Sequence, residues 1–294
     1  SVCMFMGMAS LIKAASADVP PGQAVFFRSF FALPIILGWL AIRHELRSGW
    51  KTKNPLGHFW RGLVGTSAMG LGFTGLGLLP LPEVTAIGYA APLLVVVFAA
   101  MFLNEDVRAF RLSAVALGMV GVLIVLSPRL SVGASLNSSE TLGAVVVLMG
   151  AVLAALAQVF VRKLVATEST AAIVFWFTIT SSIMALFTLP WGWVMPSWQV
   201  ALMLIMAGFL GGIGQIFLTS SYRFADASLV APFDYTSMIL ALLIGYFIFD
   251  EVPTGTMLIG AGIVILAGVL IIWRERKLGL QSAQQRKATG NIGA

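Results

Sequence analysis

Long apolar runs separated by short polar breaks extend from the first residue to about residue 273. Each run approaches the roughly 20 residues that a helix needs to cross the hydrocarbon core of a bilayer. None shows the alternation of a transmembrane β-strand, so the pattern predicts helices. The ten predicted helices cover residues 1–17, 22–42, 57–79, 84–103, 109–126, 141–165, 171–189, 198–222, 227–249 and 254–273.

Composition explains why these helices are expected in lipid. Of the 294 residues, 59% are apolar and 10% are charged, whereas a soluble domain has about 45–50% and about 25%. The chain therefore has too few polar residues to cover a water-exposed surface. The single cysteine, Cys3, excludes an internal disulfide, and the two histidines, His44 and His58, do not have a metal-binding spacing. There is no P-loop, so we expect no nucleotide, metal or other cofactor.

Lysine and arginine are distributed unevenly between the loops. Of these 18 residues, 15, including Arg61, lie after the second, fourth, sixth and eighth predicted helices or in segment 274–294. The other three are Lys13, Arg28 and Arg129. Because cytoplasmic loops carry the excess of positive charge, we expect both termini in the cytoplasm and a multi-pass protein in a bacterial inner (plasma) membrane.

Two segments resemble each other when they are displaced by 146 positions. "TAIGYAAPLLVVVFAAMFLNEDV" begins at Thr85 and "SLVAPFDYTSMILALLIGYFIFDEV" begins at Ser228. The displacement aligns Tyr89 with Tyr235, and the acidic ends of the two segments also coincide. Each half contains five predicted helices, and an odd number means that the second copy enters the membrane from the opposite side.

The predicted fold is therefore an all-α integral membrane protein with ten transmembrane helices, arranged as two inverted five-helix repeats around a central cavity. Inverted repeats of this kind are typical of carriers that hold their substrate near the midplane of the membrane. The predicted parts are a first repeat over 1–128, an extracytoplasmic linker over 129–140, a second repeat over 141–273 and a disordered cytoplasmic tail over 274–294.

Several of these features together resemble a known superfamily. "FLNE" and "FIFDE" close the fourth and ninth helices, and "PPGQAVFFRSFFALP" enters the second. With the ten-helix plan, they resemble the EamA-type members of the drug/metabolite transporter superfamily, and the chain is similar to amino-acid exporters of the YddG type and to S-adenosylmethionine carriers. The resemblance implies a secondary carrier, not an enzyme, whose cavity opens alternately to each side.

Two charged residues in apolar helices are candidate substrate ligands. Asp234 lies well inside the ninth predicted helix, where a charge is costly unless it faces a cavity or a partner. It would bind a substrate amine or a proton, or else cap a helix break. Arg28 lies about two turns into the second helix and suits a carboxylate. Alternatively, it extends to the outer headgroups or pairs with Asp18 or Glu83.

Amphipathic residues within the helices are the other candidates. Tyr89 and Tyr235 occupy matching positions and would flank a substrate held between the repeats, or else pack between helices. Trp176, which matches Arg28 in the other half, is expected on the same cavity. Gln158 and Gln215 are expected there as well, although a glutamine can equally bond to a neighbouring helix.

The remaining candidates are prolines within helices and acidic residues at helix ends. Pro92 and Pro232 interrupt the fourth and ninth helices and would allow them to bend as gates. Glu105 and Glu251, which end the same two helices, are expected to cap them or to form salt bridges, for example with Arg108.

The functional hypothesis is an exporter of small amphipathic metabolites, with neutral and aromatic amino acids preferred, that works by alternating access. The alternatives are an uptake carrier for S-adenosylmethionine or another cationic or aromatic metabolite, and drug efflux. The expected partners are a small-molecule substrate and the lipid bilayer, without nucleic acid, and a monomer contains a complete pathway.

Overall fold

The computed structural model describes residues 1–103, 109–130, 138–224 and 236–290, and in these ranges all regular secondary structure is helical. The helices are α1 Val2–Ala15, α2 Pro21–Phe30, α3 Ala32–Ile42, α4 Pro55–Leu78, α5 Leu81–Gly88, α6 Ala90–Leu103, α7 Ala109–Leu130, α8 Ser138–Val165, α9 Thr170–Leu186, α10 Trp198–Phe224, α11 Thr236–Phe249 and α12 Gly255–Gly290.

Two of the predicted helices are interrupted, each three residues before a proline. The break between α2 and α3 is at Phe31, before Pro34, and the break between α5 and α6 is at Tyr89, before Pro92. A proline has no N–H to donate and its ring crowds the carbonyl four residues earlier. The predicted interruption at Pro92 therefore exists, whereas Pro232 lies outside the described residues.

Helices extend into both segments that were predicted to lie outside the repeats. At the predicted linker, α7 continues to Leu130 and α8 begins at Ser138. Pro128 is tolerated in the last turn of α7, where the Ser127 hydroxyl donates to the Ile124 carbonyl oxygen at 2.8 Å, the acceptor that proline cannot use. The tail is not disordered over its whole length, since α12 runs to Gly290. Its Arg, Lys, Gln and Ala residues favour helix, so the preceding helix propagates into it.

The surface of the helices matches a lipid environment. Large apolar side chains are exposed on many helices, among them Phe102, Leu123, Met149, Phe217 and Phe247, and such an apolar surface suits hydrocarbon rather than water. Six described segments are long and apolar enough to cross a membrane: Pro21–Ile42, Leu81–Phe102, Leu112–Arg129, Ser139–Val165, Trp198–Ser221 and Gly255–Arg274. The helices α1, α9 and α11 are shorter and apolar.

When α2 with α3 and α5 with α6 are each taken as one interrupted helix, the bundle has two ends. The most extensive helix contacts are α4 with α8, α7 with α12, and α1 with α10, and α2 also packs along α9. We call one end the Lys13 end, where α1 and α4 finish and α5 and α8 begin. The other is the Glu168 end, where α3 and α8 finish and α4 and α9 begin.

One close crossing of two helices joins the first half to the second. It brings Gly121 of α7 against Gly260 of α12, where a methyl group on Gly260 would lie 2.6 Å from the Gly121 carbonyl oxygen and 2.9 Å from the Val125 nitrogen. Both of these atoms belong to backbone and cannot rotate away. Only hydrogen fits on either side of this crossing, as in other close helix contacts within membranes.

We predict that Gly260→Ala lowers the stability of the purified protein by about 1–3 kcal/mol, the usual cost of overpacking. The matched control is Gly262→Ala on the same helix, because a methyl group there meets nothing within 4 Å. Thermal unfolding in detergent measures both variants. Equal unfolding midpoints for the two would show that the crossing is less tight than described.

Candidate functional site

A cavity of about 350 Å³ lies in the middle of the bundle, and α1, α2, α4, α5, α8, α9 and α10 all contribute to its wall. Most of the wall is apolar, which is typical of small-molecule sites with a few polar groups for orientation. The polar side chains among the described lining residues are those of Arg28, Arg61, Thr85, Gln158, Gln215 and Thr219.

Arg28 is buried in this wall, with 3% of its surface exposed. Its Nη2 donates to the Gly211 carbonyl oxygen at 3.4 Å, and its Nε and Nη1 have no hydrogen-bond partner. The salt-bridge alternative through Glu83 does not occur, because both carboxylate oxygens of Glu83 bind Arg129, at 2.8 and 3.1 Å. A buried guanidinium is costly unless its donors are satisfied, so Arg28 is a candidate to bind an acceptor group in the cavity that its side chain lines.

Arg61 is the main functional candidate that sequence reasoning missed. It was counted among the cytoplasmic loop arginines, but it lies in α4, is 6% exposed and lines the cavity. A signal for this position was present in the sequence. Arg61 falls inside the predicted third helix, and Gly65, Ala68 and Gly72 follow it on the same face, where small residues leave room beside a helix.

One aromatic ring brings the two arginines together. The Cζ atom of Arg61 lies 3.9 Å from the centroid of the Phe177 ring, and the Cζ atom of Arg28 lies 5.7 Å from it. Both distances are within the range of cation–π attraction. Phe177 is buried in α9 and lines the cavity, so this ring holds both guanidinium groups at the cavity wall.

The structure places two of the predicted glutamines on the same cavity. Gln215 is buried in α10, and its Nε2 donates to the Thr219 hydroxyl at 3.4 Å. Gln158 of α8 is half-buried and also lines the cavity. With the arginines, they provide hydrogen-bond donors and acceptors on several helices around one space.

Two other predicted residues do not line the described cavity. Tyr89 is buried at the break between α5 and α6, and its hydroxyl is 2.8 Å from the Ser237 hydroxyl of α11. Trp176 donates through Nε1 to the Trp50 carbonyl oxygen at 2.8 Å and thereby anchors the loop before α4. An isolated amphipathic residue does not reveal which side of its helix faces a cavity, so the sequence alone could not place these two side chains.

Several candidates lie outside the described residues, and the structure does not test them: Asp234, Tyr235, Pro232, Glu105 and Arg108.

An ion pair joins three parts of the chain at the Lys13 end. Lys13 Nζ is 2.9 Å from Glu251 Oε1 and donates to the carbonyl oxygens of Leu79, at 2.8 Å, and Leu76, at 3.2 Å. The Leu81 N–H donates to Glu251 Oε2 at 2.8 Å. The expected salt bridge of Glu251 therefore exists, with Lys13 as its partner. Because Leu76 and Leu81 also line the cavity, this cluster covers the cavity at the Lys13 end.

A second charged cluster lies at the same end. Arg129 of α7 binds both Glu83 of α5 and Glu140 of α8. Arg129 therefore joins the last turn of α7 to the first turns of α5 and α8. The two clusters together attach α1, α5, α7, α8 and the turn before α12 to one another.

At the Glu168 end, one carboxylate organises the entrance to α4. Oε1 of Glu168 accepts hydrogen bonds from the Lys53 N–H at 2.7 Å, the Asn54 N–H at 2.9 Å and the Thr52 hydroxyl at 3.1 Å. Oε2 is 3.7 Å from Nε2 of the buried His58. Burial alone would raise the pKa of Glu168, but these hydrogen bonds and the neighbouring imidazole lower it below its ordinary value. Glu168 thus fixes the start of the helix that carries Arg61.

Comparison with known proteins identifies the family of this bundle. One family model, described as the EamA-like transporter family, matches residues 1–127 and again 141–273. The chain belongs to the EamA-like transporter family. The expected resemblance to EamA-type transporters is thereby confirmed, and the chain is a multi-pass membrane transporter and not an enzyme.

Curated relatives of this EamA-like chain transport in different directions. It is 27% identical over 257 residues to an S-adenosylmethionine uptake transporter of Rickettsia felis, with 87% of this chain and 84% of that protein covered. It is 29% identical over 275 residues to the pseudopaline exporter CntI of Pseudomonas aeruginosa, with 93% of each covered. The relatives therefore establish a transporter without fixing its cargo or direction.

A solved crystal structure shares the fold. It superposes with a TM-score of 0.69 and 20% sequence identity, and the match covers 94% of this chain and 96% of the other. At this identity the likeness concerns the arrangement of helices alone.

We predict that Glu168→Gln destabilises the protein by about 1–3 kcal/mol near neutral pH, because charge-assisted hydrogen bonds to buried donors are weakened. The folded-state pKa of Glu168 is lowered from 4.5, so its carboxylate stabilises the fold above the unfolded-state pKa. This contribution is lost as the pH falls through the folded-state pKa. Thermal unfolding at pH 7 and in steps below pH 4.5 measures the difference between the two proteins.

The control for this prediction is Glu45→Gln, since Glu45 forms an exposed pair with Arg43 and exposed pairs contribute little. A destabilisation by Glu168→Gln that stays constant down to the lowest pH would contradict the assignment.

Proposed function

We propose that the chain is a secondary carrier that moves small amphipathic metabolites across the inner membrane of a bacterium by alternating access, with neutral and aromatic amino acids as the preferred cargo and export as the direction. The observation that supports this most directly is the cavity itself. Its walls come from both family-matched segments, they are largely apolar, and they contain buried polar groups that suit a small amphipathic molecule.

The proposed topology has ten membrane crossings. Six described segments meet the length and hydropathy of a crossing, and α1, α9 and α11 are shorter apolar helices. The helix α4, with 24 residues, brings the total to ten when α2 with α3 and α5 with α6 are each taken as one interrupted crossing. It contains Arg61 and several glycines, which lower its mean hydropathy without shortening it.

The proposed relation between the halves is an inverted repeat, with the first repeat at 1–128 and the second at 141–273. The packing is consistent with it. If α1 corresponds to α8 and α4 to α10, exchanging the halves turns the α1–α10 contact into the α8–α4 contact, and both are extensive. The α2–α9 and α7–α12 contacts map onto themselves. A repeat of this kind supports two mirrored states, each open to one side.

The proposed orientation puts both termini and the Glu168 end in the cytoplasm. Even with Arg61 removed from the count of loop residues, most of the lysines and arginines remain at that end or in the tail. Cytoplasmic loops carry this excess in membrane proteins. The Lys13 end would then face the outside, and cargo would leave the cell there.

The Lys13–Glu251 pair would act as the outer gate of this carrier. It connects α1 and the α4–α5 turn, which belong to the first matched segment, with the α11–α12 connection, which belongs to the second. Opening that end requires the two segments to separate. The ion pair and the Leu81 hydrogen bond would have to break in every transport cycle, and Pro92 and Pro232 would let the adjoining helices bend.

The alternative function is uptake of S-adenosylmethionine, which the name of the Rickettsia relative favours. That molecule carries an amino-acid group, so it would use the same polar side chains. Drug efflux is less well supported, because none of the described lining residues is acidic. Asp234 remains the proposed ligand for a substrate amine or a coupling proton.

We predict that proteoliposomes containing the chain take up radiolabelled phenylalanine or leucine with saturation, and that unlabelled aromatic amino acids compete. An imposed pH gradient tests proton coupling, and empty liposomes give the background. Uptake of S-adenosylmethionine alone would favour the alternative function. The absence of uptake for every labelled compound would contradict the proposed function.

We also predict that Glu251→Gln opens the Lys13 end more often. The assay uses Cys3→Ser with Thr85→Cys, because Cys3 is the single cysteine and Thr85 lines the cavity. A membrane-impermeant maleimide added from the Lys13 side should label the Glu251→Gln variant about tenfold faster, since a charged hydrogen bond contributes about 1.5–3 kcal/mol and the amide retains part of it.

The matched control for the gate is Asp250→Asn. Asp250 is exposed and has a positive φ of 54°, which asparagine also tolerates. An equal labelling rate for the two variants would contradict the gate.

A further inference from the structure

The unsatisfied donors of Arg28 are the observation from which a ligand class follows. This side chain lies in the last turn of α2, is 3% exposed and lines the cavity, yet its Nε and Nη1 have no hydrogen-bond partner. An arginine that serves only to join helices normally has its N–H groups satisfied by carbonyl or carboxylate oxygens. Among the described residues, the hydrogen bond of Arg28 is the one from Nη2 to the Gly211 carbonyl oxygen, at 3.4 Å.

A second positive charge lies at the same wall. Arg61 and Arg28 both contact the ring of Phe177, and the described lining residues include no Asp or Glu. Two guanidinium groups therefore lie at the Phe177 side of the cavity. Guanidinium groups form short, strong hydrogen bonds with a carboxylate.

Two glycines give the guanidinium groups their positions. A methyl group on Gly211 would lie 2.8 Å from Arg28 Nε and 3.0 Å from Met8 Sδ. A methyl group on Gly65 would collide with Arg61 Nη1 and lie 3.0 Å from Phe177 Cε2. Each arginine folds over a residue that has no side chain, so the two glycines define the shape of this part of the wall.

We infer that Arg28 and Arg61, held on Phe177 and accommodated by Gly211 and Gly65, form a carboxylate-binding subsite of the transport cavity. The inference rests on the proposed function and narrows its cargo to metabolites that carry a carboxylate next to an apolar group. The apolar group would contact Phe5, Met8, Met69 and Phe73, which line the rest of the cavity. Cations without a carboxylate would be poor cargo.

The test compares ligands that differ only in the carboxylate. Thermal stabilisation of the purified full chain in nanodiscs is titrated with phenylalanine and with phenylalaninamide, and the pair leucine and leucinamide repeats the comparison. Loss of a charged hydrogen bond corresponds to roughly a 10- to 100-fold change in affinity. The wild-type chain is therefore expected to bind each acid at least tenfold more tightly than its amide.

Two variants assign the preference to this subsite. Gly65→Ala is expected to displace the Arg61 guanidinium and reduce the preference to below threefold, because a flexible side-chain end can move without unfolding the helix. Gly70→Ala lies five residues further along α4, where a methyl group meets nothing within 4 Å, and should leave the preference unchanged. Arg28→Gln should abolish the preference, and Arg28→Lys should restore part of it.

Three outcomes would overturn the subsite: equal binding of acid and amide by the wild-type chain, no stabilisation by either acid, or a preference that survives both Arg28→Gln and Gly65→Ala. Inorganic phosphate is the remaining probe, and stabilisation by phosphate as strong as by phenylalanine would replace the carboxylate site with a general anion site. Radiolabelled phenylalanine uptake by the same preparation separates the proposals. Uptake without a carboxylate preference would refute the subsite and leave the proposed carrier function standing. A failure of uptake would contradict the proposed carrier function itself.

Discussion

The central constraint on this protein is the cost of placing guanidinium groups inside a bundle surrounded by lipid. Arg28 and Arg61 are almost completely buried, and their charges cannot be hydrated as they would be at a surface. Other features of the middle of the bundle follow from their presence. The Phe177 ring provides attraction to both groups, Gly65 and Gly211 provide space, and the glutamines and Thr219 provide a polar setting. Nε and Nη1 of Arg28 have no hydrogen-bond partner in the described protein, and the proposed carboxylate of the cargo would compensate the buried positive charge.

Contacts between the two matched segments differ along the bundle. In the proposed carrier, the contacts at one end would have to be reversible. At the Lys13 end, the contacts are charged and partly exposed to water, with 13% and 16% of the Lys13 and Glu251 side chains accessible. Water could therefore replace them if that end opened as proposed. By contrast, the crossing at Gly121 and Gly260 is backbone against backbone, and it suits a pivot that stays closed. A stable crossing and a breakable end are what the proposed alternating access would require of the proposed five-plus-five arrangement.

Much of the fold could be predicted from the sequence because lipid imposes simple rules on length and polarity. The predicted helix at 57–79 and the observed α4 differ by at most two residues at each end, and Pro92 correctly indicates the interruption at Tyr89. The boundary errors occur where the polar composition was read as a loop. Arg129 ends a helix because it has two acidic partners, and a sequence does not show partners that are distant along the chain.

The candidate site was harder to predict, for a related reason. Arg28 was identified because a charge in an apolar helix is conspicuous, whereas Arg61 stands close to a run of loop arginines and was assigned to them. Tyr89 and Trp176 were chosen for their chemistry, but the direction of a side chain depends on the packing of neighbouring helices, and theirs point to Ser237 and Trp50. The pattern of residues along the chain does not show which neighbouring helix a side chain faces.

The measurement that tests the central claim most directly is exchange across proteoliposomes that contain the wild-type chain. Vesicles are preloaded with unlabelled phenylalanine or with buffer, and the initial entry of external radiolabelled phenylalanine is compared. A carrier has one cavity that faces one side of the membrane at a time. The cavity turns back to the outside faster when it carries unlabelled phenylalanine from the inside than when it is empty. Preloading should therefore accelerate entry several-fold. Entry that is the same in both preparations and rises linearly with concentration would instead indicate a continuous pore, and would contradict the account of alternating access.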